Sequence, residues 1–400
     1  MDVIILGGGV VGLTMALLLA RETDMQIVLL EPNQPNFDWN NQVYDIRCSA
    51  ISPGVQNIFT HLDIWPNIIM ERVGVYDKMI VWDQELHQQI EFNANSMGMN
   101  HLGHIVENRI LTKHLYQQLQ QYDTVQIIHA QAENLDVTSE QVALTVNGNK
   151  IVAKLLIGAD GGNSWVRKQA QIASYGWEYK HTALVATIRC EYPHANIAQQ
   201  RFMSDGTLAF LPLADDHLCS IVWSSDPAQI EYLMELNPQE FCMRLAQEFS
   251  FKLGKLSLEG PRACFPLRMQ HAANYIMPRI ALIGDAAHVV HPLAGQGLNL
   301  GIFDAAVLAE VLQAAHAKSI DVGQLVVLRK YELRRKGHNL SMITLLETLK
   351  RTFAIKNRAI STVRAYGLQL LNNMDFVKNN MMRYAMGISG DMPMTAKLQR

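Results

Sequence analysis

After Met1-Asp2 the chain runs VIIL, three glycines and VVGLTMALLLA before the next charges, Arg21-Glu22. The uncharged stretch Val3 to Ala20 has the length of a membrane span. Glycines 7–9 interrupt it, no basic residues precede it and no small-residue cleavage site follows. The pattern therefore predicts a buried strand Val3–Leu6, a turn and an apolar helix to about Arg21, with neither signal peptide nor transmembrane helix. QIVLLEP, Gln26 to Pro32, is the second strand, and residues 33–45 are polar without period, hence a loop. Helical spacing returns at Ser52–Leu62, with Pro53 in the first turn, and again from about Asn108. Alternation in VQIIHAQAENLDV and QVALTVNGNKIVAKLLIGAD predicts hairpin strands, with Asn147-Gly148 as the turn.

From about Tyr175 to Leu267 the period changes. TALVATIRCEY, TLAFLPL and HLCSIVWSS read as strands, Ala214-Asp215-Asp216 as a hairpin connection, and Pro227 and Pro238 as helix starts. This block predicts an antiparallel sheet inserted between nucleotide-binding segments. After Gly301 the pattern is mostly helical.

Composition narrows the partners. Of 400 residues 49% are apolar and 18% charged, enough to pack more than one unit. A net charge of −3 excludes a general nucleic-acid binder. From Arg329 onward, however, fourteen Lys/Arg face four Asp/Glu. A basic tail on an acidic body is either a contact surface or a solvated helical face. The five cysteines are odd in number and form no CxxC, which reads as reduced thiols in a cytosolic protein.

Three glycine-bearing junctions carry candidate chemistry. Gly7, Gly9 and Gly12 fit GxGxxG between a strand and a helix, and Glu31 ends the next strand nineteen residues on. The glycines permit a tight turn and close approach to a pyrophosphate, the helix N-terminus favours the anion, and Glu31 can accept from ribose hydroxyls. Gly158-Ala159-Asp160-Gly161 again leads a strand into a helix. An acid there suits backbone N–H groups or hydroxyls better than phosphate. The third, GDAAHVVHPLAGQGLNLG from Gly284 to Gly301, could hold a metal, cradle a phosphate or turn a strand into a helix. His288 and His291 are three apart, but no acid or thiol cluster completes a metal shell, so no metal is assigned.

Taken in order, these three motifs resemble those of the para-hydroxybenzoate hydroxylase-like, FAD-dependent aromatic monooxygenases over roughly residues 1–330. AISPGVQNIFTHLDIW, IVENRIL, LIGADGGNSWVR, FLPL and the Gly284–Gly301 stretch resemble the ubiquinone-biosynthesis hydroxylases in particular. Gly176-Trp177-Glu178-Tyr179 is most similar to the demethoxyubiquinol hydroxylase branch. The resemblance implies an α/β fold with a Rossmann-like FAD-binding domain (1–75, 101–174 and 268–330). It adds an inserted antiparallel β-sheet substrate domain (76–100 and 175–267) and a C-terminal helical region (331–400). It implies that Gly7, Gly9 and Gly12 meet the FAD pyrophosphate and Glu31 the adenosine ribose. Arg47 and Arg109 would lie near the pyrophosphate and ribityl chain, and Asp285 would hold a ribityl hydroxyl. Asp160 would serve both FAD and a passing NAD(P)H. Gly295, Gln296 and Gly297 would address the flavin ring, with His291 and Pro292 near it.

The implied reaction is hydroxylation of a polyprenylated phenol or quinol in ubiquinone biosynthesis. FAD is the cofactor, NAD(P)H the transient reductant and O₂ the co-substrate, acting through a flavin C4a-hydroperoxide. A non-hydroxylating flavoprotein oxidoreductase and a non-catalytic FAD-bound scaffold are the alternatives. Phe210, Trp223 and Pro292 are candidate substrate contacts, and no catalytic base is nominated. The expected location is cytoplasmic, with the basic C-terminal region touching a membrane surface or other quinone-biosynthesis proteins.

Overall fold

The tetrapeptides VIIL, IVLL and LLIG, apolar at nearly every position, form fully buried strands, Val3–Leu6, Ile27–Leu30 and Leu155–Gly158. They lie side by side in parallel register, Val3 opposite both Ile27 and Leu155. Burial on both faces explains why they read as continuous apolar runs without alternation. The computed structural model describes residues 1–40, 43–83, 89–203, 205–290, 295–354 and 374–397. His291, Pro292 and residues 355–373 of the basic C-terminal region lie outside the described residues.

The sheet has six strands, all parallel except the edge strand Ile276–Met277. In spatial order they are Ile276–Met277, Ile280–Leu282, Leu155–Gly158, Val3–Leu6, Ile27–Leu30 and Val125–Ile128. The last of these corrects an expectation. Val125–Ile128 is no hairpin strand but pairs parallel with Ile27–Leu30 at the sheet edge. Period-two alternation reports that a strand has two unlike faces and is silent about its partner. The predicted turn at Asn147-Gly148 does close a hairpin, with φ of 50° and 75°.

The second large sheet takes strands from two stretches of chain, Lys78–Asp83 with Gln89–Asn93 and the segment from Ser174 to Ala272, plus the short strand His288–Val289. It is antiparallel except where Ile197–Met203 runs parallel to Lys78–Asp83. Helices Pro227–Glu235 and Pro238–Glu248 begin at their prolines and cover one face. There Ile230, Leu233, Phe241, Leu245 and Phe249 pack on Phe210 and Trp223.

Helix Gln296–His316 joins the two halves. Its length and apolarity would suit a membrane crossing, yet it is largely buried in the molecule against helices Val10–Glu22 and Leu325–Ala354.

Candidate functional site

The first glycine turn tolerates no side chain at two points. Gly7 has φ of +113°, and a Cβ there would lie 2.3 Å from the Ala159 carbonyl oxygen. A Cβ on Gly12 would lie 1.9 Å from the Gly7 carbonyl oxygen, so the helix packs directly on the strand end. Gly9 is the helix N-cap, has no side-chain cap and has open space at its Cβ position. That leaves a helix N-terminus uncovered, where the dipole favours an anion. Gly8 N donates to Glu31 Oε2 at 2.7 Å, and Glu31 Oε1 accepts from Asn33 N at 3.0 Å. Glu31 thus ties the turn to the following loop, beside a cleft of about 270 Å³ walled by Leu13, Pro35 and Tyr116.

A larger cavity of about 430 Å³ starts at Gly9 and passes Ala159, Gly161 and Asp285 to Gly295 and Gly297. Its far wall is the second sheet, through Ala198, Thr207, Ala209 and Val222. The other two junctions are pinned to each other at this wall. Arg167, almost fully buried, donates to the Gly162 carbonyl at 2.8 Å and to the Ala286 carbonyl at 2.7 Å. Asp160 Oδ2 accepts from Val166 N at 3.0 Å, while its Oδ1 is buried and has no partner among the described residues. Asp285 is exposed to the cavity yet enclosed by protein, and burial pushes its carboxyl up, an effect reduced by His288 and Arg268.

That shift has a testable sign. A carboxyl whose folded pKa is raised disfavours the folded state at pH above its unfolded value, and the penalty fades as pH falls. Asp285→Asn is expected to raise the melting temperature of the flavin-free protein at pH 8 and to weaken flavin binding. Thermal scans and flavin titration check both; a variant with full flavin occupancy removes Asp285 from the site.

Gly295, at φ +62°, caps helix Gln296–His316, and a Cβ on it would lie 2.7 Å from Ala50 Cβ. Asn299, unforeseen from sequence, staples this turn. It donates to the Gly295 and Ala50 carbonyls at 2.9 and 2.7 Å and accepts from Ser52 N at 2.9 Å. Gln296 stands apart from Gly295 and Gly297, in a small gap beside Phe303 and Arg335.

Of the expected residues, Gly9, Asp285, Gly295 and Gly297 line the cavity, whereas Arg109, Arg47, Phe210 and Trp223 are engaged elsewhere. Arg109 binds Glu107 at 2.7 Å and the Val43 carbonyl, and stacks 4.8 Å from the Trp39 ring centre. Arg47 is exposed, its guanidinium 4.9 Å from the Phe265 ring centre. Phe210 and Trp223 are corrected outright. Both are buried on the opposite face of the sheet, Phe210 stacked 3.9 Å from Phe249, while their neighbours Ala209 and Val222 line the cavity. Strand residues alternate faces, so choosing the large aromatics chose the core face.

The most buried polar cluster was also missed. Asp304 accepts from Gly284 N at 3.1 Å, His288 Nε2 at 2.5 Å, Arg335 Nε at 2.7 Å and Asn339 Nδ2 at 3.0 Å. Burial alone would raise this carboxyl, but His288 and Arg335 beside it hold it well below the usual carboxylate range. Its signal in the sequence was one acid in the apolar helix stretch GIFDAAVLA, since a buried charge requires partners.

The residues present fit a flavin dinucleotide. A side-chain-free cradle at Gly9, the backbone of Ala159 and Gly161 and the Asp285 carboxylate succeed one another along a single space, with the unpartnered Asp160 oxygen buried between Ala159 and Gly161. Residues 1–336 match the FAD binding domain family. The chain is 35% identical to the mitochondrial ubiquinone biosynthesis monooxygenase COQ6 of Danio rerio, over 96% of this chain and 89% of that protein. It is 32% identical to 3-demethoxyubiquinol 3-hydroxylase of Escherichia coli (strain K12), over 97% and 98%. Among solved structures, P. aeruginosa PqsL in complex with 2-aminobenzoylacetate superposes with a TM-score of 0.77 at 22% identity, covering 91% of this chain and 99% of its own, a likeness of fold. Cradle, cavity and sequence agree: the chain belongs to the FAD binding domain family, among its ubiquinone-biosynthesis hydroxylases.

Proposed function

We propose that this protein is an FAD-dependent, NAD(P)H-using monooxygenase that hydroxylates the ring of a polyprenylated phenol or quinol in ubiquinone biosynthesis. One observation carries the reading: the cavity that begins at the glycine cradle ends on the second sheet without a break. A cofactor laid along Gly9, Gly161 and Asp285 therefore presents its reactive end to a chamber walled by that sheet. FAD supplies the electron and oxygen chemistry when bound.

The chain's own contributions are holding, orienting and drying. The Gln296–His316 helix directs its N-terminus at the chamber through the Gly295 cap, favouring negative charge there by ~0.3–2 kcal/mol. Met79, Ile105, Leu211, Val222 and Leu298 make the chamber mostly apolar, which suits a flat, electron-rich ring and excludes water. Polar atoms are few on these walls; Ser49, Asn108, Gln199 and Thr207 are available to orient ring oxygens. No protein nucleophile is required, because a quinol ring is already electron-rich.

The test is NAD(P)H-dependent O₂ uptake by the flavin-loaded protein with a short-chain prenyl quinol. Uptake stimulated by the quinol, with one oxygen atom found in the product by mass spectrometry, is expected. Flavin reduction without a hydroxylated product would instead favour a non-hydroxylating oxidoreductase.

A further inference from the structure

Among the described residues nothing hydrogen-bonds the Asp285 side chain, yet its neighbours on both sides are fixed. Gly284 N and the His288 ring, one residue before and three after, both bind Asp304 Oδ2. Between them the Ala286 carbonyl is held by Arg167. The other oxygen of Asp304 binds Arg335 and Asn339, both on helix Leu325–Ala354. Arg335 also donates to Asn339 Oδ1 at 2.8 Å and to the Leu300 carbonyl at 3.2 Å. One buried carboxylate thus joins the loop that aims Asp285 to a helix that stands behind the cavity.

We propose that Asp304 is a positioning residue for flavin binding, and that Arg335 and His288 act through it to set the aim of Asp285. Asp304, Arg335 and Asn339 are absent from the residues lining the cavity, so their effect on the cofactor is indirect, and the contacts of Asp304 with Gly284 and His288 carry it through the 284–288 loop. The electrostatics favour this role. Arg335 keeps the carboxylate charged, and only a charged carboxylate accepts from all four donors at once. Both oxygens are fully used, so a loss on the helix side loosens the loop side. The inference rests on Asp285 facing the flavin.

The experiment titrates FAD into the flavin-free full-length chain and records melting temperature and the visible circular dichroism of bound flavin. His288→Met removes the loop's ring contact while leaving the Asp304–Arg335 pair intact. It is expected to raise the FAD Kd about tenfold and to alter the flavin dichroism, and His288→Gln, which restores an N–H donor, should recover most of both. Arg335→Met is expected to do the same from the helix side. The control is Tyr331→Phe, which deletes a different buried hydrogen bond from this helix, to the Leu282 carbonyl at 2.7 Å. It should lower the melting temperature with FAD Kd unchanged within about twofold. The proposal is overturned if His288→Met binds FAD as the unaltered chain does, or if Tyr331→Phe weakens FAD equally for the same loss of melting temperature. If Arg335→Met does not fold, His288→Met decides alone. If Asp285→Ala also keeps FAD, the placement of the flavin itself is wrong; if Asp285→Ala loses it while His288→Met does not, only the positioning role falls.

Discussion

Gly12→Ala yields a chain that no longer retains FAD. The added methyl carbon would stand 1.9 Å from the Gly7 carbonyl oxygen, and that atom is backbone, held in a turn whose φ is already +113°. No rotamer relieves the overlap. Either helix Val10–Glu22 moves off the strand by more than an ångström, or the turn rebuilds. Either movement displaces the uncovered helix N-terminus at Gly9, and a misplacement of about 1 Å at a binding constellation costs roughly 10²-fold. Gly9→Ala supplies the contrast. Its Cβ meets no atom within 4 Å, so the flavin-free fold should melt as before while FAD binding is lost. Titration with FAD and thermal scans of both variants separate the two mechanisms. A Gly12→Ala protein binding FAD within about threefold of the parent would remove the glycine cradle from the explanation.

Asp304→Ala is expected to cost about 3–5 kcal/mol of stability, because it leaves the Arg335 guanidinium buried without its counter-charge. Chemical denaturation at pH 7 measures it. The pH dependence fixes the cause. The folded Asp304 carboxyl titrates below the usual carboxylate value, so its stabilisation is fully present above about pH 4, the unfolded value, and is lost as pH falls toward the folded one. The gap between parent and Asp304→Ala should therefore be widest near neutrality and narrow below pH 4. A gap independent of pH down to 2 would assign the loss to packing instead of charge.

Local chemistry explains which features were legible beforehand. Gly7 to Gly12, Pro53, Pro227, Pro238 and Asn147-Gly148 act through their own backbone preferences, and each marks the element it predicted. What was hidden depends on distant parts of the chain. Val125–Ile128 shows its alternation in any sheet, and only tertiary pairing places it beside Ile27–Leu30. Arg109 carries the charge a pyrophosphate would want, yet Glu107, two residues earlier, claims it here. Asp304 finds its partners at positions 284, 288, 335 and 339, a grouping that no window of sequence contains.

The alternation that misdirected the choice of Phe210 and Trp223 has a wider consequence. Along Gly206–Pro212, Thr207, Ala209 and Leu211 face the chamber, while Leu208 and Phe210 face the covering helices. Each residue thus borders a neighbour with a different employer. Changes at Ala209 or Val222 can reshape what the chamber admits without touching the packing that holds the sheet, and changes at Phe210 or Trp223 do the reverse. A strand arranged this way lets substrate preference drift between related proteins while the scaffold stays under separate selection.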